Sequence, residues 1–200
     1  LPEVKEVVIE DDTFTSNIPR VREICKLLIS QKNTLAWSAN VRVGVDLETL
    51  KLMKQAGCRL IITGFESGDQ KLLDAMGKHA TVAMADELMK NTKKAGLLVH
   101  GCFMVGNPGE TKETMEKTLR HAIRLNPDSA QFYPLFVYPG TVSWRQYIEN
   151  KWITTTDFSQ WLKRDGEHNT MINLPGLSSE DMVKFCEAAY PKYYLRPRYL

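Results

Sequence analysis

The chain has 200 residues, 43% of them hydrophobic, with 26 basic and 24 acidic side chains and a formal net charge of +2. That length supports one sizeable core, and the charge balance argues against a dominant nucleic-acid surface. No apolar run is long enough to cross a membrane and no signal peptide is visible; the start, LPEVKEVVIEDD, lacks an initiator Met and reads as a cut from a longer protein.

Val7, Val8 and Ile9 read as the core of a first strand. Glu10, Asp11 and Asp12 follow at once. Three adjacent acids repel one another, so burial of any of them would raise its pKa. They fit three readings: a metal site, contact with a ligand amine or hydroxyl, or plain solvation. Asn17 is placed to cap a helix with Pro19 in its first turn, and Val21, Ile24, Cys25 and Leu28 then recur with helical spacing. The next strand is expected over Leu35–Val43, with Asn40 and Arg42 on one face. Arg42 is suited either to clamp a carboxylate with its planar fork or to pair with the acids near residue 11.

Asp46 caps a further helix that Gly57 closes. The stretch GCRLIITGFESGDQKLLDAMG (57–77) then runs from an apolar strand through a turn into a short helix. Glu66 sits where the strand stops, the place where a parallel α/β enzyme puts its chemistry. The competing reading makes Glu66 and Ser67 mere helix caps. Lys78 and His79 read as a solvated loop. Thr81 starts a helix through Ala95, and Leu97–Val105 reads as a strand in which Gly101 marks a close approach.

GNPGET (106–111) links that strand to a helix through Ile123. Its backbone N–H groups at a helix start suit a carboxylate, phosphate or ribose oxygen. It has neither a Walker lysine nor a GxGxxG pattern. A fifth strand, Ala130–Val137, contains Pro134, which points to a sheet edge or bulge. Thr141 caps a helix through Glu149. Residues 151–170 read as an irregular excursion, Ser178 and Asp181 as a capping box, and the tail YPKYYLRPRYL as a clamp on another domain or, less well, a nucleic-acid contact.

Strand starts roughly 25 to 38 residues apart match ordinary βα units. The fold class is α/β, with a parallel sheet whose polar and glycine-rich turns all follow strands. Cys25, Cys58, Cys102 and Cys186 lie far apart, unlike a zinc ribbon or a compact cluster site. They read as free core thiols in a reducing, cytoplasmic compartment.

The stretches IEDDTFT (9–15), WSANVRV (37–43), ITGFESGDQKLLDAMGK (62–78), FMVGNPGET (103–111) and FYPLFVYPGT (132–141) resemble the radical S-adenosylmethionine superfamily, in particular its cobalamin-associated subgroup. The resemblance implies a partial (β/α)6 barrel over residues 1–150, with its first strand unit missing, and an irregular and helical extension over 151–200. It implies a [4Fe-4S] cluster held by a CxxxCxxC loop, with S-adenosylmethionine on its fourth iron. This chain has no CxxxCxxC, so the cluster loop is expected upstream and the chain is expected to be inactive alone.

Carried over residue by residue, the resemblance places Glu10, Asp11 and Asp12 at the cofactor's amino group and Asn40 and Arg42 toward its carboxylate. It places Glu66 and Ser67 near the carboxylate or ribose, Gly106 by the adenine, and Gln131 and Tyr133 toward substrate. Rim hydrogen bonding is the competing reading for each. The activity implied is that of a methyltransferase or cyclase on a small organic metabolite, served by a flavodoxin or ferredoxin reductant. An RNA methylthiotransferase and a non-catalytic scaffold are the alternatives.

Overall fold

The structure is a computed structural model that describes residues 3–161, 169–197 and 199. Five strands form one open parallel sheet in the sequential order β1 (Glu6–Ile9), β2 (Ala36–Asn40), β3 (Cys58–Glu66), β4 (Leu98–Val105) and β5 (Ser129–Pro134). Seven labelled helices accompany them: α1 (Ile18–Ser30), α2 (Leu47–Gln55), α3 (Gln70–Ala75), α4 (Val82–Ala95), α5 (Lys112–Leu125), α6 (Val142–Glu149) and α7 (Ser179–Tyr194). β1 pairs β2 from Glu6↔Ala36 to Ile9↔Ala39, and β2 pairs β3 with one register shift between Trp37 and Ser38.

The helix starts follow from local side-chain chemistry. Asn17, Asp46, Asp69, Thr81 and Thr141 each accept a backbone N–H from the first turn of the helix they precede. Ser178 and Asp181 form a complete capping box at α7. Gly96 ends α4 in the left-handed region, with φ 73°.

Two compact units divide the chain. The first comprises Leu1–Phe65, His79–Cys102 and Arg124–Ala130. Its core holds Val21, Trp37, Leu50, Met53, Ile61 and Leu88. Gly101 is pressed there against the Phe65 ring and Pro127, where a Cβ would sit about 3.0–3.1 Å from either; the close approach is made by side chains, not by the ligand or neighbouring backbone expected. The second comprises Glu66–Lys78, Phe103–Ile123 and Gln131–Leu200. Its core gathers Phe103, Met115, Leu119, Phe132, Tyr147, Met182 and Tyr193.

Three sequence expectations need correction. β1 forms over Glu6–Ile9 as expected but is not buried: Val7 and Val8 are 40% and 53% exposed. An outer strand has a neighbour on one side only, and alternation cannot reveal which neighbours are present. β2 stops at Asn40, so Arg42 lies beyond the sheet, where its backbone N–H donates to Thr15 Oγ1 at 3.0 Å. β5 ends at Pro134 rather than Val137, although Leu135 N still donates to Val105 O at 2.8 Å just beyond it; it is an outer strand, as Pro134 implied.

Along β5, Ala130, Phe132 and Pro134 are buried while Ser129, Gln131 and Tyr133 are half-buried. The Tyr190 hydroxyl from α7 accepts from Phe132 N at 3.3 Å and donates to Phe132 O at 3.2 Å. It thereby satisfies groups that an outer strand would otherwise leave open. The 151–170 excursion contains a 3-10 turn at Phe158–Gln160 and a bridge from Ile153 to Ile172. The remainder of that excursion, over 162–168, and residues 198 and 200 of the tail lie outside the described residues.

Candidate functional site

The first unit carries the acidic turn. Glu10 and Asp12 are exposed, and Asp11 is half-buried. The Asp11 carboxylate pairs with Arg20, not with Arg42, and that hydrogen bond holds its pKa below the usual carboxylate value. At half-buried Asp11 the hydrogen bonds from Arg20 and Thr13 outweigh the opposing effect of burial. Asn40, the last residue of β2, donates through Nδ2 to the Asp11 carbonyl at 3.2 Å. Among the described residues, no group of three or more His, Cys, Asp or Glu side chains is arranged to hold a metal ion.

The second unit carries the turn after β3. Glu66 is the last residue of that strand, 4% exposed, with φ at 62°. A non-glycine residue in the left-handed region is uncommon, and such strain gathers at functional sites. One carboxylate oxygen, Oε1, pairs with Lys78; the other, Oε2, is buried and has no hydrogen-bond partner. Lys78 was the residue that sequence reasoning set aside as solvated loop. Its pairing spans the whole of α3, and no local periodicity signals it.

Neither Glu66 nor Ser67 caps α3; Asp69 does, accepting from Lys71 N at 2.9 Å. Ser67 is buried, its hydroxyl 3.2 Å from Thr118 Oγ1 and accepting from Asp69 N at 3.1 Å. Gly68 N donates to the same Thr118 oxygen at 3.0 Å, and Lys117 pairs with Asp69 at 2.8 Å. The Lys117 bond lowers the Asp69 pKa. The turn that presents Glu66 is thus stitched to α5.

The turn after β4 differs from expectation. Its N–H groups do not wait for an external anion, because Glu110 supplies one. Gly106 N donates to Glu110 Oε2 at 3.2 Å, the Asn107 backbone adds a second bond, and Thr114 Oγ1 donates to Oε1. Gly106 itself has φ 107°, and a Cβ there would sit 3.0 Å from Met182 Sδ. Its carbonyl accepts from the buried Tyr147 hydroxyl at 2.7 Å. Both polar backbone groups of Gly106 are therefore engaged within the protein. Asn107 is buried, and its Nδ2 has no hydrogen-bond partner.

Burial is the main cause that pushes the Glu110 carboxyl above its ordinary value of 4.5. A raised folded-state pKa means that the native state holds its proton more tightly than the unfolded chain. Its contribution to stability is then greatest below the unfolded value and declines as pH rises through the folded one. Urea unfolding of wild type and Glu110→Gln from about pH 4 to about pH 8 checks this. The stability of wild type relative to the variant should fall with rising pH; a flat difference contradicts the assignment.

None of the four cysteines forms a disulfide, and among the described residues they belong to no cluster arranged to hold a metal ion. Burial raises the thiol pKa of Cys25 to about 11 and those of Cys58 and Cys186 to about 12. Cys102 is only half-buried and so departs from the core role expected of it.

The chain belongs to the Radical SAM superfamily, whose family model matches residues 1–122. It is 34% identical over 198 residues to an uncharacterized methyltransferase of Pyrococcus horikoshii, covering 98% of this chain and 42% of that protein. It is 30% identical over 159 residues to the anaerobic magnesium-protoporphyrin IX monomethyl ester cyclase of Cereibacter sphaeroides, covering 77% of this chain and 26% of the cyclase. The chain therefore spans less than half the length of these relatives. The structure of the radical S-adenosylmethionine methyltransferase TsrM from Kitasatospora setae, with cobalamin and a [4Fe-4S] cluster bound, shares the fold. The TM-score is 0.77 at 18% identity, over 92% of this chain and 43% of TsrM. Among the described residues no helix is long and apolar enough to cross a membrane.

Proposed function

We propose that this chain is the S-adenosylmethionine-binding portion of a radical iron–sulfur enzyme, a methyltransferase or cyclase acting on an organic metabolite in association with cobalamin. The observation that carries the reading is Glu66, a strained, buried carboxylate at a strand end with Oε2 unpartnered. An acceptor so placed fits an amine or hydroxyl donor, and the cofactor offers both. Lys78 holds the other carboxylate oxygen, and Thr118 fixes the turn behind it. Ser67 acts through that turn, since its hydroxyl is already engaged. The family names of the relatives support the methyltransferase or cyclase assignment, and the TsrM likeness supports the link to cobalamin.

The cysteines present do not fit a [4Fe-4S] cluster: they are dispersed, and burial disfavours the thiolate that iron requires. We assign the cluster ligands to a CxxxCxxC loop elsewhere in the protein. The bound cluster and cofactor together supply one-electron chemistry, with a small flavodoxin- or ferredoxin-type protein as reductant. This chain's part is to bind, orient and exclude water. Glu10, Asp11, Asp12, Asn40, Arg42 and Gly106 would contact the cofactor, and Gln131 and Tyr133 the substrate. The barrel would span residues 1–150 and the extension 151–200.

Titration of S-adenosylmethionine into the anaerobic protein with its cluster reconstituted tests the reading. Glu66→Gln keeps the shape but removes the charge, and should weaken binding roughly tenfold with the fold retained. Unchanged affinity, or a loss traced wholly to unfolding, would leave Glu66 only a structural role.

A further inference from the structure

Along β4, Val99 and Gly101 are buried while Leu98, His100 and Cys102 are exposed or half-buried. On β3, buried Ile61 and Thr63 alternate in the same way with half-buried Leu60 and Ile62. Successive strand residues point to opposite faces of a sheet. The first unit therefore packs one face of these strands and leaves the other less covered. That second face is apolar at Leu60, Ile62 and Leu98, and His100 breaks the pattern.

His100 Nδ1 lies 2.8 Å from Ser129 Oγ, on the neighbouring strand β5 and in the same unit. Among the described residues neither side chain has a second polar partner, and Nε2 is not buried. A histidine that serves only packing has its polar atoms satisfied within the core. Here one ring nitrogen is held and the other is left accessible on an apolar face.

The pair also fixes the proton. A hydroxyl has one hydrogen to donate, and Ser129 has no other acceptor among the described residues, so Oγ donates to Nδ1. A neutral imidazole that accepts at Nδ1 carries its hydrogen on Nε2. The face thus offers a single directed N–H donor. An ammonium group, which only donates, finds no complement there. A carbonyl or carboxylate oxygen does, and the apolar body of such a ligand would meet Leu60, Ile62 and Leu98.

We infer that His100, oriented by Ser129, is a specificity-determining residue that donates from Nε2 to a carbonyl or carboxylate oxygen of an otherwise apolar organic substrate. Ser129 is the positioning residue, since it acts through the imidazole. The word substrate rests on the reading of the chain as part of an enzyme acting on an organic metabolite; the recognition itself does not.

The test uses the full chain, with its histidines labelled with 15N, at about pH 8. Long-range 1H–15N NMR reports which ring nitrogen carries the hydrogen, and His100→Phe assigns the signals by removing them. Without ligand, His100 should show a protonated Nε2 and an unprotonated Nδ1. Ser129→Ala should mix the two tautomers, a change that a merely structural hydroxyl would not produce. The probes are cyclohexanecarboxylate and cyclohexylmethylammonium, which share a ring and take opposite hydrogen-bonding roles. The carboxylate should shift the Nε2 signal, and His100→Phe should weaken it about three- to tenfold in ligand-observed NMR. If His100→Phe does not fold, Ser129→Ala should still lower carboxylate affinity, and its tautomer signal identifies the cause.

A hydrogen on Nδ1 in wild type overturns the inference, as does equal perturbation of Nε2 by both probes or by neither. Carboxylate affinity unchanged in both variants overturns it as well. The titration of S-adenosylmethionine is independent of these measurements. Its failure would remove the enzyme reading and leave the recognition at His100 standing, and the converse outcome would leave the enzyme reading intact.

Discussion

Trp37→Ala should destabilise the protein by about 3–5 kcal/mol. Trp37 is a fully buried side chain on β2, 2% exposed. Its ring meets Phe14 edge-on at 5.5 Å, and its Nε1–H donates to the Ala56 carbonyl at 2.9 Å. It stands at the register shift between β2 and β3, where its own backbone N–H donates to Gly57 O at 3.1 Å. Truncation would leave a cavity the size of an indole, which neighbours on a sheet cannot collapse to fill. The Ala56 carbonyl would still receive Asn33 Nδ2 at 3.1 Å, so the loss is one of packing rather than of an orphaned acceptor. Trp37→Phe separates the two terms and should cost only about 1–2 kcal/mol. Urea unfolding of the three proteins measures both steps. A loss below about 1 kcal/mol for Trp37→Ala would show that this part of the core relaxes freely.

Gly68→Ala should cost about 3 kcal/mol, at the upper end for adding one methyl group to a packed site. The glycine is not required by its backbone angles. It is required by contact: a Cβ would lie 2.6 Å from His121 Cβ, 2.7 Å from the Lys117 carbonyl and 3.0 Å from Thr118 Cα. These are backbone or backbone-proximal atoms of α5, which cannot swing aside as a side-chain tip can. The helix must therefore move back, and the bonds from Ser67 and Gly68 to Thr118 stretch with it. For a chain of this length the melting temperature should fall by on the order of 6–12 °C. Binding at Glu66 should weaken as well, because the same turn orients it. A melting temperature within about 1 °C of wild type would show that α5 yields without loss.

Much of the fold was legible because the signals were local. Asn17, Asp46, Thr81 and Thr141 are short polar residues placed just before amphipathic runs, and each caps the helix it announces. β-branched and aliphatic runs marked the five strands, while their ends slipped wherever polar residues continued the alternation, as at Arg42. The site was legible as a place rather than as a set of partners. Glu66 stood out by ending a strand, yet nothing in the sequence near it announced Lys78, which pairs across a helix. The GNPGET turn read as a cradle for an anion, and the anion proved to be Glu110, the residue after its second glycine and three after Asn107. Which N–H groups remain available depends on where a side chain folds back, and spacing does not encode that. Asn107 was passed over because a lone asparagine in a proline–glycine turn looks like turn chemistry.

The two outer strands have unequal prospects for assembly. At β5 the Tyr190 hydroxyl takes up both polar groups of Phe132, and Thr170 Oγ1 donates to the Leu135 carbonyl at 2.9 Å just beyond the strand. At β1 the exposed Val7 and Val8 lie on a strand whose only sheet neighbour among the described residues is β2. Polymerisation by strand addition needs two receptive edges, so that each added copy leaves a fresh template behind it. A sheet with one receptive edge can take a single strand or pair with its own twin about a two-fold axis, and growth then stops. The Tyr190 hydroxyl thereby closes the middle of the β5 edge to an added strand.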